Sequence, residues 1–247
     1  MVTETAPPRR AFPFHNGLPI AISAAQWCWI MAALCVAFAL LVMPWPAPTT
    51  PAGGWVHAVL FCAVPLAALA LIDRRAVTAL FHRPTLRDGV WMVAIAVLNI
   101  IVTTGLALAL TSVHPATDNP MSAQLHDAGP LSRVLTFLMM VPQLLGEELL
   151  TVLPFLALLQ WLLHRPGVSR RWAIVLAWLL SALPFALAHL PTYDWNLLQC
   201  LVIIGSARLV LTLAYLATRN IWTSTGAHVL NDWTLFAISL AMVSPAQ

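Results

Sequence analysis

Residues 132–163 read SRVLTFLMMVPQLLGEELLTVLPFLALLQWLL. The run is almost continuously apolar and does not alternate with period two, so it is no strand of an outer-membrane barrel; it reads as a helix. At 1.5 Å per residue about 20 residues cross a hydrocarbon layer of ~30 Å, and this run exceeds one crossing. Either its first two turns lie in the interface or Pro142 and Pro154 kink it. Further apolar runs stand on both sides of it, at about 21–44, 55–72, 90–111, 172–190, 197–217 and 222–243. The chain is therefore expected to be an all-α polytopic membrane protein, a bundle of seven transmembrane helices, or eight if the long run crosses twice.

Composition agrees. Hydrophobic residues make up 60% of the 247 and charged residues 9%, against roughly 45–50% and 25% in soluble domains. So few charges cannot cover a water-soluble monomer of this size, and the mean hydropathy is +0.84. All 12 basic residues are Arg, and they form no clustered basic face, which excludes nucleic acid as a partner. Ten of the 12 (Arg9, Arg10, Arg74, Arg75, Arg83, Arg87, Arg165, Arg170, Arg171 and Arg219) fall on one side if the amino terminus is cytoplasmic. The opposite segments 45–54, 112–131 and 191–196 hold none, as the positive-inside rule requires. With seven spans the carboxyl terminus then lies outside the cell membrane. Arg133 sits at the outer end of the long run.

Residues 1–20 contain four prolines and Arg9-Arg10 and read as a disordered cytoplasmic tail. The arginine pair is an anchor and not an export signal, because the apolar run after it is too long for a cleavable core of ~7–15 residues. Residues 21–131 supply the amino-terminal helices and loops. Cys28, Cys35, Cys62 and Cys200 lie inside apolar runs without metal-ligand spacing and read as packing residues. The 11 Trp residues cluster near the ends of the runs, as interface anchors do.

The functional signal is the set of ionisable residues at membrane depth. Glu147 and Glu148 lie in the fourth run, His189 in the fifth, Arg208 in the sixth, and His228 and Asp232 in the seventh. Each costs roughly 2.5–3.5 kcal/mol at the bilayer centre, so together they must face one another or a wet cavity. Adjacent Glu147 and Glu148 project about 100° apart, so one can face a cavity while the other pairs with a neighbouring helix. His189 follows Phe185 by four places, and His228 and Asp232 are likewise four apart, stacked one turn from each other. On straight helices His189 and His228 would stand at opposite depths. Pro184 and Pro191 can break the fifth helix and let 191–196 dip inward to bring them together.

The order Glu147-Glu148, Phe185…His189, His228…Asp232 resembles the CPBP intramembrane protease family of type II CAAX prenyl endopeptidases and bacterial Abi bacteriocin-immunity proteins. Its hallmarks are EExxxR, FxxxH and HxxxN/D on successive helices. The resemblance covers roughly residues 132–243, marking 132–247 as a CPBP-like catalytic core; the first three runs carry no signature of it. One position departs: the EExxxR arginine would be residue 152, which is Val152. Arg208 is expected to supply that guanidinium to Glu148 from across the bundle.

The resemblance implies hydrolysis of a peptide bond in a membrane-associated peptide or protein, within the lipid bilayer. Glu147 would act as general base on water, with His189 orienting it. His228, supported by Asp232 or Asn231, would stabilise the oxyanion. Two versions stand open at this stage: a metal-free mechanism, or zinc or another divalent metal held by Glu147, His189 and His228 with an open position for water. Other functions remain as alternatives. One is a non-catalytic immunity or partner-binding protein on the same fold. The other is a transporter or proton relay, disfavoured because the charges crowd one half of the chain and no inverted repeat is visible.

Overall fold

Apolar runs bounded by capping residues dictate where helices begin. Ser23 and Thr85 each form a reciprocal capping box, with Gln26 and Asp88, and Ser169 caps a third helix. The structure is a computed structural model that describes residues 11–46 and 51–242. The elements in chain order are α1 (Ala24–Val42), α2 (Pro51–Ile72), α3 (Arg74–Thr78), α4 (Leu86–Thr111), α5 (Pro120–Asp127), α6 (Pro130–Leu163) and α7 (Arg170–Ala188). After a 3₁₀ turn, Pro191–Tyr193, come α8 (Leu197–Gln199), a π-helical stretch over Cys200–Ile204, α9 (Gly205–Thr218) and α10 (Ile221–Met242). There is no strand among the described residues.

Among the described residues six helices are long and apolar enough to cross a membrane: α1, α2 from Ala52, α4, α6, α7, and the continuous Leu197–Thr218. The last expected run does form a helix of 22 residues, α10, but is not one of the six. Its His228, Asn231 and Asp232 dilute its apolar character. The long run 132–163 lies within one unbroken helix of 34 residues with both prolines inside.

That helix is the axis of the bundle. In its most apolar window 61% of residues are buried, against 28–33% in the other five, so α6 is surrounded while the others keep a lipid-facing side. It touches α1 and α2, α7, α9 and α10. Its residues Leu149, Val152, Leu153, Phe155, Leu156 and Leu159 are all part of the main apolar core. Because lipid is as apolar as these side chains, close backbone approach has to carry much of the association. Gly146 provides one such approach: a Cβ there would run into the Phe61 ring of α2, with Cγ at 2.8 Å. Gly146→Ala is expected to cost about 1–3 kcal/mol by overpacking, measured as a lower unfolding midpoint in detergent.

Three sequence expectations change. Where a disordered tail was expected, residues 11–20 fold onto the bundle, with Phe12 2% and Phe14 1% exposed. Phe12 lies 5.3 Å from the Phe155 ring, and the Arg219 guanidinium carbon stands 3.6 Å above it, a cation–π contact. Residues 1–10, with the Arg9-Arg10 pair, lie outside the described residues. The cysteines are all free, but only Cys200 is buried; Cys28 and Cys35 are exposed on α1, so packing does not explain them. Pro184 does not break α7, which runs unbroken to Ala188. Arg133, at the outer end of the long run, donates through Nε to the Leu125 carbonyl (2.8 Å) and through Nη2 to that of His126 (2.9 Å) at the end of α5.

Candidate functional site

The two glutamates of α6 part company as their angular offset requires. Glu148 points inward and is fully buried. Its Oε1 lies 2.7 Å from Arg208 Nη1 of α9 and accepts a 2.9 Å hydrogen bond from His228 Nδ1 of α10. The guanidinium that Val152 cannot supply thus arrives from α9, across the bundle. Val152 itself is buried in the apolar core. Arg208 Nη1 and Glu148 Oε1 form an ion pair, and neither Arg208 Nη2 nor Glu148 Oε2 has a hydrogen-bond partner. Nε of Arg208 donates to Thr212 Oγ1 (3.3 Å), and the guanidinium carbon sits 5.0 Å from the Phe185 ring centroid.

Glu147 faces the other way, its side chain 12% exposed on a cavity of about 630 Å³. Such a volume is in the range that binds small ligands or a peptide segment. Glu147 Oε1 accepts from Gln143 Nε2 at 3.3 Å, and Oε2 lies 3.8 Å from His228 Nε2. His228 therefore bridges the glutamates, Nδ1 to one and Nε2 toward the other. A carboxylate only accepts, so Nδ1 carries the proton. Asp232, one turn along α10, brings Oδ1 to 3.7 Å from the same Nε2. Glu148, not Asp232, holds the Nδ1 side of this imidazole.

His189 is the C-cap of α7. Its Nδ1–H donates to the Phe185 carbonyl at 2.8 Å, leaving Nε2 as the face without a backbone partner. Its ring lies tilted at 40° to that of Phe185, centroids 4.7 Å apart, and Phe185 in turn lies 6.4 Å from the His228 ring, so the two imidazoles flank one phenyl group. Both line the cavity. His189 and His228 thus share one cavity despite the difference in depth expected of them, and the chain reverses after His189. Asp194 and Trp195 take left-handed φ of 51° and 60°, and Tyr193 turns inward to a buried place on the cavity wall. Burial pushes the Tyr193 phenol up to about 12, so it stays neutral at physiological pH; its oxygen accepts from Asn119 Nδ2 at 3.3 Å.

Asn231 is buried and connected on both sides: Oδ1 accepts from Asn99 Nδ2 of α4 (2.9 Å), and Nδ2 donates to Asp232 Oδ1 (2.9 Å). Sequence reasoning missed Asn99, Gln143 and Tyr193. Gln143 stands four before Glu147, a spacing that could have found it. Asn99 and Tyr193 become neighbours only through tertiary packing.

The metal set does not assemble. Among the described residues no group of three or more His, Cys, Asp and Glu side chains is disposed to hold a metal ion. Glu147, His189 and His228 line the same cavity.

Residues 129–234 match the family model of type II CAAX prenyl endopeptidase Rce1-like proteins. This segment is Rce1-like. No curated protein and no solved structure matches the chain. The Rce1-like segment starts at the beginning of α6 and ends within α10, so it holds Glu147, Glu148, His189, Arg208, His228, Asn231 and Asp232. Asn99 lies outside it.

Proposed function

We propose that this protein is an intramembrane endopeptidase that hydrolyses a peptide bond of a membrane-associated peptide or protein. The observation that carries the reading is the division of labour between adjacent glutamates. Glu148 is sealed behind Arg208, while Glu147 stands on the cavity wall 3.8 Å from His228 Nε2. A carboxylate so placed takes a proton from a water held between it and His189 Nε2, and the resulting hydroxide adds to the scissile carbonyl. His228, protonated also at Nε2, donates to the oxyanion that forms, and Asp232 orients that face of the ring. Glu147 returns its proton to the leaving amine as the C–N bond breaks. No step is routed through a metal.

In this reading α10 is the seventh span, the amino terminus is cytoplasmic and the carboxyl terminus faces outward across the cell membrane. The polar residues that lower the hydropathy of α10 are those that face the cavity, while Leu230, Ile238 and Met242 are exposed away from it.

The test is cleavage of membrane peptides by purified, reconstituted protein, with Glu147→Gln and His189→Ala beside it and with and without chelator. Cleavage lost in both variants and insensitive to chelator is the expected result. Loss with chelator alone would replace the metal-free route. No cleavage of any peptide, with binding of a membrane partner unaffected by Glu147→Gln, would favour a partner-binding protein.

A further inference from the structure

Asn99 lies on α4, a helix that carries none of the motifs and falls outside residues 129–234, yet its side chain is fully buried on the wall of the same cavity. Its Nδ2 gives one 2.9 Å bond, to Asn231 Oδ1. Its own Oδ1, equally buried, has no hydrogen-bond partner. Buried amides usually satisfy both ends. Here one end is left unsatisfied while the other is spent on a residue next to the site.

The consequence follows from the symmetry of an amide. Exchanging the oxygen and nitrogen of Asn231 barely alters its shape but inverts its hydrogen bonding. As placed, Asn231 Nδ2 faces Asp232 Oδ1 at 2.9 Å, donor to acceptor. Inverted, it would face that carboxylate with an oxygen, acceptor against acceptor, in a buried setting where such a mismatch is costly. Asp232 can only accept, so it sets that orientation, and the Asn99 donor on the far side completes it and holds the Asn231 amide in place. Asp232 Oδ1, so held, stands 3.7 Å from His228 Nε2.

We propose that Asn99 is a positioning residue of the site: by donating to Asn231 it anchors a directional relay, Asn99 to Asn231 to Asp232, that holds the Asp232 carboxylate beside His228 Nε2. Its consequence for turnover rests on the peptidase reading above; the relay itself does not. The helix outside the Rce1-like segment thereby completes the site.

The test is a double-mutant cycle on the full-length reconstituted protein: Asn99→Asp, Asp232→Asn and both together, read by unfolding and by peptide cleavage. Asn99→Asp can only accept, so Asn231 must turn its Nδ2 away from Asp232. Adding Asp232→Asn then allows the whole relay to run in reverse with the same charge and the same number of bonds. The double variant is expected to unfold at a higher midpoint than Asn99→Asp alone, a favourable coupling. In cleavage, Asn99→Asp lowers kcat roughly tenfold with little change in KM, and the double variant does not regain it, because His228 has lost its carboxylate. Asn99→Ala removes the donor without adding charge and gives the same kcat loss if Asn99→Asp does not fold. Additive stability effects would overturn the relay. A destabilised Asn99→Ala with kcat as in the parent would overturn the positioning role and leave a packing residue. If the parent cleaves no peptide, the peptidase reading falls, and the stability coupling still decides the relay.

Discussion

Glu147→Gln is expected to remove peptide cleavage, by about 10²–10⁴-fold in kcat, while leaving the unfolding midpoint close to that of the parent. The side chain is partly exposed on the cavity, and its one hydrogen bond, accepted from Gln143, can equally be taken by an amide oxygen of the same shape. Its closest cationic candidate, His228 Nε2, stands 3.8 Å away, beyond a hydrogen bond. Little folding energy is therefore tied to its charge, whereas a general base without a carboxylate cannot take a proton from water. The measurement pairs cleavage of a reconstituted membrane peptide with thermal unfolding of the same preparation. Undiminished cleavage would move the base elsewhere, and a collapse of the fold would show that Glu147 is a structural acid.

Arg208→Leu is expected to do the reverse, destabilising the protein by roughly 3–5 kcal/mol, the cost of leaving a buried charge without its partner. Arg208 and Glu148 are both wholly buried, 2.7 Å apart, and α9 meets α6 around that contact. Activity should fall with it, because Glu148 Oε1 also accepts from His228 Nδ1 and an unneutralised carboxylate would pull that imidazole out of register. The decisive comparison is with Glu148→Leu and with the double variant. Replacing both members by apolar side chains removes the orphaned charge, so the double variant should recover most of the stability without recovering cleavage. Equal losses in all three would mean that the pair contributes through packing alone. A fully stable Arg208→Leu would show that Glu148 tolerates burial without a cation.

The contrast between these variants matches what was legible in the chain. That Glu147 and Glu148 must diverge followed from adjacency on a helix, and that one would need a cation followed from Val152 standing where the motif places arginine. The membrane class, the positions of the apolar runs and the motif order were equally plain, because hydropathy and helical spacing are local properties. The amino-terminal segment was misread for the same reason: prolines near a terminus signal disorder locally, and nothing local says that Phe12 and Phe14 will find a core built from α1, α6 and α9.

What the sequence determined by itself, then, was a multi-helix membrane protein with acids and imidazoles placed where oil forbids them to stand alone. Tertiary structure alone decided who meets whom. It set Arg208 against Glu148, put Glu148 and not Asp232 on His228 Nδ1, turned the chain after His189 so that Tyr193 closes the cavity wall, and brought Asn99 from α4 to Asn231. The reason is physical. Burial penalties state that a charge needs a partner, but the partner is chosen by how helices pack, and packing is a property of surfaces brought together from distant parts of the chain.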